Sequence, residues 1–161
     1  MSNYGFVSDE LAVKMAKKIC DTIGHGKYNT AVHMIIETAV AETGLGKIED
    51  KTPKTAGMGI TQFDKIPFDD IRNRSIKLRP IILKELGVDI SIVEWNELKY
   101  NLFLSLLFAR LLYWLKGDPI PKTIEERAAY WKLHYNTKLG KGTPEHYLMM
   151  NEKYGVKIDV I

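Results

Sequence analysis

Residues 102–115 read LFLSLLFARLLYWL and form the longest apolar stretch in the 161 residues of this chain. Ser105 and Arg110 interrupt it, and it falls short of the roughly 20 apolar residues that a bilayer span needs. We therefore predict no membrane insertion, and one long helix from about Glu94 to Lys116. Because this helix is apolar on nearly every side, we expect it at the centre of a helical domain.

Helix start and stop signals lie on both sides of the central stretch. Ser8 precedes Asp9 and Glu10, which is typical of an N-cap followed by acidic residues, and Thr123 begins a capping box. Other boundaries come from proline at helix starts and glycine at helix ends. The predicted helices besides the central one run from Ser8 to Gly24, from Thr30 to about Thr43, onward from Pro67, from Pro80 to Gly87, from Thr123 to near Asn136, and from Thr143 to Gly155.

These signals predict a mostly α fold, with about seven helices around the buried central one. Residues 44–66 are the exception, because glycine, proline and polar residues are frequent there, and we predict a small irregular or β-hairpin segment. The length is that of one domain, so residues 1–161 are expected to form a single unit. With 45% hydrophobic residues, the chain can bury a core.

Composition and charge exclude several classes of function. The net charge of +3 is only mildly basic, and without a basic run or an arginine-rich stripe a nucleic-acid partner is not expected. Cys20 is the single cysteine, so no intramolecular disulfide can form and a buried apolar role is expected. Metal-ligand spacings are absent, so we expect no metal and no cofactor. The first residues lack a basic start followed by an apolar stretch, so we expect no cleavable secretion signal.

Glu42 is the first candidate catalytic residue, because it stands where an apolar helix gives way to glycine. The helix that begins at Thr30 carries apolar residues at the helical period, and Glu42 falls at the edge of that stripe. Desolvation favours the neutral form of a carboxyl group, which can then donate a proton near neutral pH. Glu37 falls on the wetter face and is predicted to be a solvated surface charge. The alternative for Glu42 is an ordinary residue at a helix C-terminus.

A glycine turn over residues 57–62, with the sequence GMGITQ, is the second candidate segment. Glycine lets a backbone approach a ligand closely. We therefore consider the backbone of Met58, Gly59 and Ile60 as candidate sugar-binding groups, and the amide of Gln62 as a group that orients a sugar. The segment lacks the lysine of a phosphate-binding loop, so a nucleotide is not indicated.

A third candidate segment lies at the end of the penultimate predicted helix. There, Tyr135 supplies a hydroxyl and Asn136 an amide, and groups at a helix end can reach a carboxyl group or a substrate. Tyr130 and Trp131 precede them and are suited to stack on sugars, although aromatic side chains more often fill cores.

Together these segments resemble the soluble lytic transglycosylases and their goose-type lysozyme relatives, in the lysozyme-like superfamily. In that family a catalytic glutamate ends a helix, a Gly-Leu-Met-Gln-like turn follows, and a Tyr-Asn element comes later. The counterparts here are Glu42-Thr43-Gly44, Gly59-Ile60-Thr61-Gln62 and Tyr135-Asn136. The resemblance covers about residues 30–64 and 127–150. Thr61 replaces an apolar residue of the family, and the Ala-Gly that follows Tyr-Asn there is missing.

The resemblance implies an α+β lysozyme-like fold and cleavage of the β-1,4 bond between N-acetylmuramic acid and N-acetylglucosamine in peptidoglycan. Glu42 would protonate the glycosidic oxygen and then take the proton of the muramic 6-hydroxyl, which closes a 1,6-anhydro ring. Tyr135 would hold Glu42 or the developing oxocarbenium ion, and Gln62 would position the glycan with the backbone near Met58.

Two other functions stay open. A hydrolytic muramidase would need a second carboxylate to activate water, and Asp50 and Asp64 are the candidates for it. A lysozyme-like domain without activity would serve as a wall-binding or structural part of a virion.

The stretch from Tyr135 to Thr143 also resembles phage-borne wall-degrading proteins such as endolysins and virion-associated lysins. This resemblance implies a host cytoplasmic protein that a holin releases, or a virion component, acting in the bacterial cell wall or periplasm. The implied partners are peptidoglycan glycan strands and, in a virion, other virion proteins. We expect the chain to be a monomer.

Overall fold

Helices dominate the computed structural model, which describes residues 4–6, 8–48 and 57–158. The predicted mostly α class, with about seven helices, is confirmed for this part of the chain. Its helices are α1 (Asp9–Ile23), α2 (Ala31–Thr43), α3 (Lys65–Arg74), α4 (Arg79–Leu86), α5 (Leu102–Trp114), α6 (Ile124–Trp131) and α7 (Pro144–Tyr154).

Several predicted helix boundaries are confirmed because local hydrogen bonds set them. Ser8 Oγ accepts a hydrogen bond from the Leu11 amide, 3.1 Å away, at the start of α1. Thr143 does the same for α7 by accepting from the His146 amide at 3.1 Å. Thr30 precedes α2 as expected, but its side chain does not cap the helix. Its hydroxyl instead donates to backbone carbonyls after α5.

The prediction of one long helix from Glu94 to Lys116 is wrong. A 3₁₀ turn occupies Trp95–Lys99, and α5 begins only at Leu102. The physical reason is capping: Asn101 Oδ1 accepts from the Leu104 amide at 3.0 Å and starts a new helix. The third helix also begins at Lys65, two residues before the predicted Pro67.

In the described part of residues 44–66, the predicted β-hairpin is not seen. Residues 49–56 lie outside the described part of the chain. In the remainder, Met58 and Phe63 form a single antiparallel bridge without a strand on either side. The ladder cannot extend, because the chain enters α3 two residues after Phe63.

Helix α5 lies at the centre of the described fold, as predicted. It packs against α1, α2 and α3, and its residues are buried from Leu102 to Tyr113 with one exception, the half-buried Phe103. Its polar groups have partners: Ser105 Oγ donates to the Leu98 carbonyl at 2.9 Å, and the Tyr113 hydroxyl lies 2.8 Å from Thr38 Oγ1. Within the described residues, no helix has the length and hydropathy required to cross a bilayer.

Glu37 is buried, so the prediction that it is a solvated surface charge is wrong. It is 7% exposed, and its carboxylate accepts two hydrogen bonds from Arg127, Nε at 2.8 Å and Nη2 at 2.7 Å. The Tyr147 hydroxyl donates a third at 2.7 Å. Arg127 belongs to α6 and Tyr147 to α7, so the face of α2 that the sequence pattern leaves to solvent is covered by two later helices.

Candidate functional site

The end of α2 sets the position of Glu42. The chain reverses immediately after Thr43, because Gly44 and Leu45 both adopt left-handed backbone, with φ of 59° and 56°. The amides of these two residues bond back to Val40 O at 2.8 Å and Ala39 O at 3.1 Å, which ends the helix. The side chain of Leu45 is fully buried. Glu42 is therefore held half-buried at the last turn of a helix whose end is anchored in the core.

Thr43 joins this helix end to the glycine turn. Its hydroxyl lies 2.7 Å from Ile60 O and donates to it. The same oxygen accepts from the Gly46 amide at 3.0 Å. A residue adjacent to Glu42 thus connects α2, the turn at Gly44–Gly46 and the glycine turn, although residue 60 follows 17 positions later in the chain.

Internal hydrogen bonds close the glycine turn. Met58 exchanges both backbone hydrogen bonds with Phe63, at 3.0 and 2.9 Å. The carbonyl of Gly59 accepts from the backbone amide of Gln62 at 3.0 Å and from its side-chain Nε2 at 2.9 Å. Together with the bond from Thr43 to Ile60, these contacts engage most of the groups that the sequence suggests for sugar binding. Ile60 itself is a core side chain, fully buried.

Gly59 is required at its position for two reasons. Its φ is +76°, and an added Cβ would stand 2.1 Å from Leu98 O and 2.5 Å from Ser105 Oγ. We expect Gly59→Ala to destabilise the protein by about 2–4 kcal/mol, from left-handed strain and overpacking together. Urea unfolding measures this loss.

Gly87→Ala is the matched control, because Gly87 has a φ of +69° but open space around its Cβ position. This substitution should lower the free energy of unfolding by about 1–2 kcal/mol, from the strain of a left-handed backbone alone. Equal losses at the two glycines would contradict the close packing of the glycine turn.

Tyr135 connects the third segment to the first two. Its hydroxyl donates to Thr61 O at 2.7 Å, and its ring packs edge-on against Phe63, with centroids 5.9 Å apart. Burial raises the pKa of this phenol well above its usual value, and the negative charges of Glu42 and Asp64 raise it further. The phenol therefore stays neutral, and it lies within the electrostatic reach of both carboxyl groups.

A π-helical turn brings Tyr135 to this position. Residues Lys132–Asn136 continue α6 directly, and the Thr137 amide closes the turn on Lys132 O at 2.8 Å. Turns of this type occur often at functional sites.

Asn136 supports the following loop. Its Oδ1 accepts from Lys132 Nζ at 2.7 Å, and the same ammonium donates to Thr137 O at 2.8 Å and to Gly140 O at 3.0 Å. The side-chain Oδ1 of Asn136 thus helps to stabilise the loop of residues 137–140 through Lys132.

Asp64 lies beside a surface groove of about 860 Å³ between α3 and the π-helical turn. The residue as a whole is exposed, but partial burial of its carboxyl raises the pKa. Asp50, the other candidate second acid, lies outside the described residues. The groove lining includes Asp64, Ile66, Pro67, Leu112, Tyr135 and Leu139.

His146 and Trp95 support the site, and the sequence reasoning missed both. His146 Nε2 lies 3.0 Å from the carbonyl oxygen of Ala41; since a carbonyl only accepts, this nitrogen carries the proton. The bond satisfies a carbonyl of the last turn of α2, directly before Glu42. Trp95 Nε1 donates to Phe63 O at 2.7 Å, at the end of the glycine turn. No local sequence pattern predicts either contact, because the partners are separated by 105 and 32 residues along the chain.

The aromatic residues that precede Tyr135 belong to the core. Tyr130 and Trp131 are 6% and 1% exposed, so they are not available to stack on a ligand.

Comparisons with protein-family models, with curated proteins and with solved structures find no match to this chain. A function for this chain is therefore inferred from the arrangement of its side chains.

Proposed function

We propose that this protein cleaves the β-1,4 bond between N-acetylmuramic acid and N-acetylglucosamine in peptidoglycan, as a lytic transglycosylase with Glu42 as its acid and base. The observation that carries the proposal is the convergence of three separate segments around one half-buried carboxyl group. Thr43 bonds to Ile60, and Tyr135 bonds to Thr61. When Glu42 is ionised, its charge raises the pKa of the Tyr135 phenol, so the two groups interact electrostatically.

The chemistry uses one carboxyl group twice, first as an acid and then as a base. Protonated Glu42 gives its proton to the glycosidic oxygen as the bond to the muramic C1 breaks and an oxocarbenium-like centre develops. The resulting carboxylate takes the proton of the 6-hydroxyl, whose oxygen bonds to C1 and closes the 1,6-anhydro ring. Glu42 ends in its starting protonation state. The mechanism therefore needs no attacking water molecule and no second carboxylate. Proton transfer of this kind is worth about 10²–10⁴-fold in rate.

The surrounding groups suit a role in positioning. Tyr135 is neutral and already donates to Thr61 O, so it contributes a fixed dipole and an apolar ring beside the carboxyl group. Gln62 uses its amide nitrogen to close the glycine turn, which leaves its amide oxygen to orient a sugar hydroxyl. The apolar groove beside Tyr135 offers room for sugar rings of the glycan strand.

Mass spectrometry of muropeptides from digested peptidoglycan tests the proposal. Products that end in 1,6-anhydro-muramic acid support the transglycosylase. Reducing muramic ends would support a hydrolase instead. Intact glycan strands after incubation with the folded protein would overturn both.

Asp64 makes hydrolysis the second candidate function. Its charge acts on the same phenol as that of Glu42, and a carboxylate of raised pKa is the stronger base for a water molecule. An inverting hydrolase holds its two carboxyl groups about 6.5–9.5 Å apart, with that water between them.

Asp64→Asn separates the two mechanisms. We expect this variant to keep nearly the parent rate of wall clearing, because the transglycosylase reaction needs one carboxyl group. A loss of about 10²–10⁴-fold would instead indicate a water-activating base. Asp70→Asn, at an exposed acid that lines the same groove and pairs with Arg74 at 2.9 Å, is the matched control.

A further inference from the structure

A second cavity, which shares Lys116 with the groove beside Tyr135, has an unbalanced charge. It encloses about 380 Å³ between the connection of α1 to α2 and the end of α5 with the loop that follows. Its charged lining consists of the cations Lys27, Arg110 and Lys116 and a single acid, Asp118. The excess of positive charge indicates an anionic ligand.

The burial of Arg110 is the main argument for an anionic ligand. Its side chain is buried, at 4% exposure, and its Nε donates to Gly24 O at 3.0 Å. Among the described residues no carboxylate forms an ion pair with it. Cys20 also forms a side-chain hydrogen bond with the guanidinium. Burial raises the pKa of this thiol to about 12, so it supplies no negative charge. Buried charges in proteins are normally paired, and an uncompensated one is costly.

Asp118 does not supply the missing charge. Its carboxylate lies 3.4 Å from His134 Nε2, and its side chain is 72% exposed, so solvent screens its charge. Lys27 adds a further positive charge and lies over the ring of Tyr28, at 5.3 Å from the centroid. Lys122 lies over the same ring at 4.8 Å. Lys122 is not part of the cavity lining, but the three cations that line the cavity still outnumber its single acid.

We propose that this cavity binds a phosphate-class oxyanion, either free phosphate or a phosphomonoester end of a larger molecule. A planar guanidinium presents paired N–H donors that match two oxygens of such an anion, and the two ammonium groups match a charge greater than one. Lys27 and Arg110 line this cavity and not the groove beside Tyr135, whereas Lys116 lines both. The proposal does not depend on the catalytic role of Glu42.

Calorimetric titration of the full chain at constant ionic strength tests the site, with inorganic phosphate and glycerol phosphate as probes. We expect saturable binding and a rise in melting temperature that chloride does not reproduce. Tighter binding of glycerol phosphate identifies a monoester as the occupant, and tighter binding of phosphate identifies the free ion.

Lys27→Gln and Lys116→Gln are the informative variants, because Arg110 also supports Gly24 and its replacement can unfold the chain. Each should weaken binding by about fivefold, the worth of one unit charge a few ångströms from an anion at high dielectric. Lys84→Gln, on α4 and outside the cavity, should bind as the parent does. Absence of saturable binding, or equal effects of all three substitutions, would overturn the proposal.

Discussion

Glu42→Gln is expected to reduce wall-lytic activity by about 10²–10⁴-fold, because an amide can neither give nor take the proton that the reaction requires. The substitution keeps the shape of the side chain. Glu42 is half-buried at the end of α2, and the turn that follows is held by Thr43, Gly44 and Leu45. The fold should therefore survive the change.

Turbidity clearing of purified peptidoglycan measures this effect, with circular dichroism as the check on folding. Glu85→Gln, at an exposed position of α4, is the matched acid-to-amide control and should clear walls at the parent rate. A pull-down with intact walls should show that the Glu42 variant still binds. If Glu42→Gln cleared walls as fast as the parent, Glu42 would not be the acid.

Arg127→Met is expected to destabilise the protein by about 3–5 kcal/mol, because it leaves the buried carboxylate of Glu37 without its bidentate partner. The pair is almost fully enclosed, with 6% and 9% exposure of the two side chains. The Tyr147 hydroxyl would remain as a donor, but one neutral donor does not replace a guanidinium. The loss is a large fraction of the 5–15 kcal/mol that typically stabilises a domain.

Urea unfolding followed by circular dichroism measures this loss. The exposed pair of Arg74 and Asp70, 2.9 Å apart, supplies the control. Arg74→Met should cost less than about 1 kcal/mol, since surface ion pairs contribute little. The double variant Glu37→Leu with Arg127→Met should recover much of the stability, because no buried charge then remains unpaired. Equal shifts for Arg127→Met and Arg74→Met would contradict the burial of the pair.

Much of the helical framework could be predicted from the sequence, because capping and stop signals act within a few residues. Ser8 and Thr143 begin helices where expected, and Gly87 ends one. The wrong prediction of one helix over Glu94–Lys116 also concerns a local capping signal, which was overlooked. Hydrophobic periodicity favoured one long helix, but the local hydrogen bond of Asn101 begins a new helix at the first residue of the apolar stretch.

The candidate site was only partly predictable. The order of Glu42, the glycine turn and Tyr135 along the chain is visible in the sequence, but their mutual contacts are not. The bond from Thr43 to Ile60 requires the chain to fold back on the end of α2 within 17 residues. The bond from Tyr135 to Thr61 requires α5 and α6 to return the later segment to the glycine turn, 74 residues earlier in the chain. The roles of the Gln62 and Asn136 side chains also depend on the residues beside them. Each amide forms a hydrogen bond that stabilises its own turn.

The sequence by itself determined a helical chain with an apolar central helix and a carboxyl group at the end of an apolar helix. Short-range hydrogen bonds and the helical repeat are sufficient for these features, because both depend only on residues that are close together in the sequence. The tertiary structure decided which charges are buried. Glu37 pairs with Arg127, 90 residues away in the chain. Arg110 is buried, and no acid among the described residues forms an ion pair with it. The cost of burying a charge depends on what other helices bring beside it, which no local pattern contains.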